Sequence, residues 1–340
     1  MGKIDRTAII CILARDVEKS LIKNIPKIDS LRNYFKNSWV IAVENDSIDQ
    51  TKELLFNWQF KNKGIFIDSF VSNFNSQAKF EKEKIFPGAS RSRIERMVFI
   101  RNHYINFIKA NNMHSDYIIV IDIDLDNFNE KEIVAAIKNA PNNWSAIFAN
   151  GRLYSTILKK IAFTKFYDTY AYVPLNSKTV HLTYREQFLN RDLKLKKYTQ
   201  CKSAFGGIGI YKYNSVIDSE YKTVDNERCS LQEVICEHII FNTSLLKSGA
   251  NYICKDLKTY YQKVSILASV LPSKIFMRLL IWKHKFCKKM TPEIIALTED
   301  RRQKTEDRRQ KTEDRRQKTE DRRQKTEDRR QKTEELCSTI

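Results

Sequence analysis

The chain has no Cys-x-x-Cys pair, only five histidines among 340 residues, and no uninterrupted apolar stretch long enough to cross a membrane. Each absence closes off a class. Seven cysteines, at 11, 201, 229, 236, 254, 287 and 337, form an odd set without zinc-knuckle spacing, which argues against a disulfide framework and suits a reducing, cytoplasmic setting. So few histidines weaken a two-metal phosphoester hydrolase, which calls for more acid and imidazole ligands. The best span candidate, residues 264–282, is interrupted by Pro272, Lys274 and Arg278. The basic start and the eight-residue apolar run that follows it are too short for a signal peptide and lead into Arg15-Asp16-Val17-Glu18 without a small-residue cleavage pattern. That run is expected to be the first strand.

What is present begins with charge. The net charge of +19 points to anionic partners: nucleic acid, phospholipid surfaces or nucleotide diphosphates. Five of the nineteen charges come from the C-terminal repeats, so fourteen belong to the rest. The 42% hydrophobic and 11% aromatic content supports a substantial core, as one large α/β domain or two small ones.

Apolar periodicity predicts a repeating βα pattern. Strands are expected at 7–14, 39–43, 65–68 and 118–121, with helices at 16–35 (kinked near Pro26), 52–60, 91–112 and 130–139. A polar loop is expected at 69–90, an extended piece at 144–149, an irregular aromatic-rich lobe at 163–173, a glycine-containing strand at 204–211, a helical piece at 231–248 and an edge strand at 252–254.

The most informative run is Tyr117-Ile-Ile-Val-Ile-Asp-Ile-Asp-Leu-Asp126. Its Ile/Val character is that of a strand inside a parallel sheet, and such sheets place ligands beyond the carboxyl ends of their strands. Asp122 and Asp124 there suit a hard cation, Mg2+ or Mn2+, held with substrate phosphates. Acids after a strand often only cap a turn. A calcium loop fails, because Asn127 stands where glycine is wanted and Ile133 where a bidentate Glu is needed. Asp126 leaves the metal register open between 122/124 and 124/126; the former is preferred because Asp122 directly follows the apolar strand.

Other candidates lie along the chain. Glu44 and Asp46, where strand two meets a helix, can contact a ribose or base, while Ser47 or Asp49 caps the helix. Arg96 and Arg101, with Arg91 and Arg93, lie on or just before the helix ahead of the acid-tipped strand and offer planar donors to a diphosphate. Gly206 and Gly207 have the wrong spacing for a dinucleotide fingerprint and read as a close backbone approach. Glu237 can act as a general base and His238 can ligate a cation or position a phosphate, although either can be structural.

Taken together, Ala14-Arg15-Asp16-Val17-Glu18, the 44–51 segment, Arg96 through Arg101-Asn102, Asp122-Ile-Asp124, Phe205-Gly206-Gly207 and Cys236-Glu237-His238 resemble a GT-A glycosyltransferase. Order and spacing over residues 5–255 look similar to the fungal capsule-associated mannosyltransferase family and related bacterial polysaccharide and lipopolysaccharide enzymes. The resemblance implies a Rossmann-like nucleotide-sugar-binding mixed sheet flanked by helices, and a metal-dependent hexosyl transfer to a glycan or lipid-linked acceptor. It implies donor contacts at Ala14, Arg15, Glu44, Asp46, Arg96, Arg101 and Asp122, and an acceptor near Gly206 and Gly207. It further implies Mn2+ or Mg2+ on Asp122, Asp124 and His238, and Glu237 as the base if the sugar is inverted.

The domain is expected to span 1–262, followed by a basic amphipathic segment, 263–297, suited either to an anionic membrane surface or to packing on its own domain. Residues 298–335 hold five identical Thr-Glu-Asp-Arg-Arg-Gln-Lys heptads plus a fragment, with no apolar residue in the repeat, so an ordinary coiled-coil seam is excluded. Acid-to-base pairs such as Asp300 with Lys304 favour a solvated helix or a flexible spacer. This tail looks like those of some bacterial fucosyltransferases in architecture only, since their core differs. A cytoplasmic protein peripheral to the inner membrane face is expected. The competing class is a basic nucleic-acid-binding protein, for which the chain carries charge but no recognition motif.

Overall fold

The computed structural model describes residues 2–72, 89–229 and 232–287. The first strand, β1 (Ile4–Ala14), is buried on both faces from Ala8 to Ile12, as a continuous β-branched run requires when helices cover both sides of a sheet. Helix α1 (Glu18–Arg32) carries Pro26 internally and leads to β2 (Phe35–Asn45). There follow α2 (Thr51–Lys61), β3 (Ile65–Phe70), α3 (Arg91–Ala110), β4 (Tyr117–Asp122) and α4 (Glu130–Lys138). Strands β1 to β4 pair in parallel in the order β3-β2-β1-β4, that of a doubly wound nucleotide-binding half.

The second half departs from this rule. Strands β5 (Trp144–Ile157), β6 (Lys160–Phe166), β7 (Val173–Pro174) and β8 (Tyr198–Ser203), with α5 (Tyr184–Leu189), precede β9 (Ile208–Lys212). Strand β9 runs antiparallel between β4 and β5 and joins the two halves. After α6 (Tyr213–Val216) and α7 (Glu237–Ser244), β10 (Ala250–Lys263) lies between β5 and β8. The result is the mixed α/β sheet flanked by helices that the sequence leads one to expect.

Each face of the sheet has its own core. Leu21 and Ile28 of α1, Leu55 and Trp58 of α2 and Ile133 of α4 cover one face; Ile100, Tyr104 and Ile108 of α3 and Ile239 of α7 cover the other. Three local expectations change. The 163–173 stretch is partly regular, because β5 continues to Ile157 and turns back as β6. Residues 252–254 are no edge strand: the polar Lys255–Asp256 interruption is absorbed by a register shift between Cys254 and Lys258, after which β10 pairs with β5 again. Gly206 and Gly207 form a turn ahead of β9 rather than part of it.

The chain divides into two units at Leu280/Ile281. Short α8 (Ile266–Val270) and the start of α9 (Ser273–Cys287) belong to the first. No helix among the described residues is long and apolar enough to cross a membrane. Most of the 69–90 loop, the basic segment beyond 287 and the heptads lie outside the described residues.

Candidate active site

Strand β4 ends on Asp122, whose backbone N–H donates to the Gly207 carbonyl at 2.9 Å. Ile123 and Leu125 then turn inward, and the Asn24 amide of α1 donates to both of their carbonyls, at 2.9 and 3.1 Å. Burying these two positions leaves Asp124 and Asp126 on the open side. They diverge there. Asp126 accepts from Tyr154 on β5 at 3.2 Å, whereas crowding by protein and the like charge of Asp122 push the Asp124 carboxyl up to about 6.

Asp122 is the hub of a long-range cluster. The Tyr261 hydroxyl of β10 donates to its Oδ2 at 2.5 Å, and Arg101 Nη2 of α3 lies 3.4 Å from its Oδ1. Arg101, 4% exposed, also donates from Nε to Glu237 Oε1 at 3.0 Å and lies over the Phe205 ring. Its Nη1 is buried with no hydrogen-bond partner among the described residues. Burial alone would raise the Glu237 carboxyl, but the adjacent positive charge outweighs it and holds the group well below the usual carboxylate range.

His238 is drawn elsewhere. Its ring stacks on Phe205 at a centroid distance of 3.9 Å, and both ring nitrogens are buried with no hydrogen-bond partner among the described residues, Nε2 lying 3.8 Å from Glu237 Oε1. Burial, with the Arg101 charge beside it, pushes the imidazole down to about 3, so it is neutral. No group of three or more His, Cys, Asp or Glu among the described residues converges as a metal site, so Asp122, Asp124 and His238 are not assembled as the expected three-ligand set.

The glycine turn closes the other side. Gly206 and Gly207 have φ of +63° and +85°, a region that favours glycine. Gly206 donates its N–H to Asp168 at 2.8 Å, and Thr259 donates to its carbonyl at 2.5 Å. A Cβ on Gly207 would stand 2.7 Å from Leu125 and 2.9 Å from Tyr261. Burial pushes Asp168 up to about 6, although it accepts N–H bonds from Gly206 and Ala171. Tyr167 stacks on Tyr261 with centroids 4.0 Å apart, beside the acids.

The loops after β1 and β2 are laced together. Ala14 sits in register with Glu44. Glu44 accepts from the Ser47 N–H at 3.0 Å and the Ser69 hydroxyl at 2.5 Å, and Asp46, at φ +52°, accepts from Ser72 and Asn45. Arg15 lies 3.8 Å from Asp16. Asp49 accepts the Glu18 N–H at 3.1 Å, serving α1 as well as its own turn. These acids therefore tie the two loops together at the carboxyl ends of β1 and β2. Arg96 is half-buried on α3, and the charge of Arg93 bears on Asp124.

Tyr167, Asp168, Thr259 and Tyr261 carried no sequence signal as site residues. Their only marks are a Tyr-Asp pair in an aromatic-rich stretch and a Tyr-Tyr pair near the end of β10.

No family model and no curated protein matches the sequence. Among solved structures, the chain is similar to a mannosyltransferase from Pyrobaculum calidifontis in complex with GDP-Man and Mn2+, at 9% identity and TM-score 0.43 over 87% of this chain and 70% of that one. It is similar to S. aureus TarS 1-349 at 12% identity and TM-score 0.40, over 86% of this chain and 71% of that one. A third similar structure is GalNAc-T7 with UDP, GalNAc and Mn2+, at 10% identity and TM-score 0.41, over 76% of this chain and 44% of that one.

Proposed function

We propose that the chain is a glycosyltransferase that moves a hexose from a nucleotide-sugar donor to a glycan or lipid-linked acceptor. The observation that carries this is the meeting of Asp122, Asp124, Arg101 and the Gly206-Gly207 turn at the carboxyl end of a parallel strand. In open α/β sheets that edge is where nucleotide ligands sit.

The donor set fits a hard divalent cation. Asp124 has a raised carboxyl crowded by Asp122, and a cation on the pair relieves that repulsion. Asp122 and Asp124 would hold Mn2+ or Mg2+, which would supply charge neutralisation to a departing diphosphate. His238, neutral and stacked on Phe205, is assigned to packing beneath the site.

The chain's own residues divide the remaining work. Arg101 holds Asp122 in place across a 3.4 Å ion pair, and Glu237 fixes Arg101. Arg96 is assigned to the diphosphate, and Ala14 and Arg15, with Glu44 and Asp46 shaping the loop, to the nucleoside end. Glu237 is too firmly ionised to be an effective base near neutral pH. Asp168, at the glycine turn where an acceptor would lie, is the better match and is assigned to take the acceptor hydroxyl's proton as the new C–O bond forms and the anomeric C–O bond to phosphate breaks. Peripheral contact of the 263–297 segment with an anionic membrane belongs to the same proposal.

A thermal-shift screen of nucleoside diphosphates and nucleotide sugars, with and without Mn2+, tests it, because a ligand that binds the folded form raises apparent stability. A Mn2+-enhanced shift for one nucleotide class is expected; no shift with any of them contradicts it.

A further inference from the structure

The β5–β6 hairpin turns through Leu158 and Lys159, with φ of +48° and +64°. A two-residue loop with both φ positive strongly favours Asn-Gly, because side chains strain the left-handed region. Here a leucine and a lysine occupy it, and Leu158 is 91% exposed. Neither residue gains a packing or hydrogen-bonding return within the described residues that would offset the strain, so the tip reads as built for an external surface.

Its neighbours share this character. Ile157, Ile161 and Phe163 on the hairpin are exposed, as are Ile266, Leu267 and Val270 on α8. The two elements are tied by the Ser155–Ser269 hydroxyl bond at 2.7 Å and by Val264 N–H donating to the Tyr154 carbonyl. Lys159, Lys160 and Lys263 are interspersed and make no salt bridge among the described residues. Apolar side chains set among unpaired cations match a phospholipid surface bearing negative charge. Along one side of the hairpin, from Tyr154 to Lys159 at the turn, a cavity of about 410 Å³ also lined by Lys23, Asp126, Tyr260 and Lys263 opens beside the acid-bearing loop.

We propose that the hairpin tip and α8 dock on an anionic phospholipid bilayer, with Leu158 among the acyl chains and Lys159 and Lys160 at lipid phosphates. Resting on the glycosyl-transfer proposal, this placement makes the acceptor one that is held at the membrane surface, with its anionic head group reaching the lysine-lined cavity.

The full chain carrying L158W is mixed with phosphatidylcholine vesicles, with or without phosphatidylglycerol, and its tryptophan emission is read as a difference from the unsubstituted protein. A blue shift confined to the phosphatidylglycerol vesicles is expected. K159E/K160E is expected to lower the vesicle-bound fraction in sedimentation roughly tenfold. Sedimentation without a shift at position 158 places the contact elsewhere and overturns the proposal, as does equal binding to both vesicle types. L158N/K159G supplies a second variant that relieves the turn: it should raise Tm while lowering vesicle binding, and unchanged binding would contradict docking through this tip. Nucleotide-sugar shifts measured without vesicles report on the transfer proposal separately.

Discussion

Arg101 and Glu237, 136 residues apart in sequence, are joined by a 3.0 Å Nε–Oε1 bond in the buried layer beneath the carboxyl end of β4. The pair is 4% and 5% exposed at its side chains, and the same guanidinium reaches Asp122. One arginine therefore links the carboxylate at the end of β4 to the one at the start of α7.

Replacing that arginine should be costly. Removing one partner of a buried ion pair leaves an uncompensated charge and typically costs about 3–5 kcal/mol. Arg101→Met is expected to fall in that range by urea unfolding, and adding Glu237→Gln should recover part of the loss. Independent, additive effects would mean the two do not act as a pair.

The two candidate metal registers give opposite outcomes. Asp124→Asn should abolish Mn2+-enhanced nucleotide binding while leaving Tm unchanged or slightly higher, since it removes repulsion with Asp122. Asp126→Asn, losing only its bond from Tyr154, should keep it. Asp124 belongs to both registers, so the Asp126→Asn variant decides between them in titration calorimetry with and without Mn2+, and loss of the enhancement there moves the site to 124/126.

Asp168 sets a pH dependence. Its carboxyl is raised to about 6 in the folded chain, above the ordinary value, so folding takes up a proton between about pH 4 and 6. Its contribution is fully present below the unfolded pKa and is lost as pH rises through about 6. Turnover should run the other way, rising as Asp168 ionises and becomes able to accept a proton. Asp168→Asn is expected to lower kcat by roughly 10²- to 10⁴-fold and to reduce the stability change over that window to the part that Asp124, also raised to about 6, supplies. A wild-type stability profile in the variant would show that another group titrates.

The glycine turn has little room for side chains. Gly207→Ala must place a Cβ 2.7 Å from Leu125 while holding φ at +85°, and such strain costs on the order of 1–3 kcal/mol. Thermal unfolding should report a loss of that order, together with weaker acceptor binding. An unchanged Tm would show that the turn relaxes freely.

The β4 strand and its acids were legible because a continuous Ile/Val run ending in carboxylates has few alternatives in an α/β chain. Strands β1 to β3 were legible for a similar reason, since their apolar runs are bounded by polar helices. The acids at 44 and 46 were legible as a motif but not in their work, because the left-handed backbone at Asp46 and the serine partners of both acids arise only on folding. Tyr261 could not be found by pattern. It reaches Asp122 across 139 residues of sequence, on a strand whose pairing with β5 includes a register shift that no periodicity announces. His238 misled because Cys236-Glu237-His238 suggests a ligand, whereas Phe205, distant in sequence, captures the ring.

The most direct measurement is manganese anomalous scattering from crystals grown with a nucleoside diphosphate. Expected is a single peak between the carboxylates of Asp122 and Asp124, bridged to the diphosphate oxygens. A peak at Asp126, or a diphosphate bound away from β4 with no manganese beside it, would contradict the central claim.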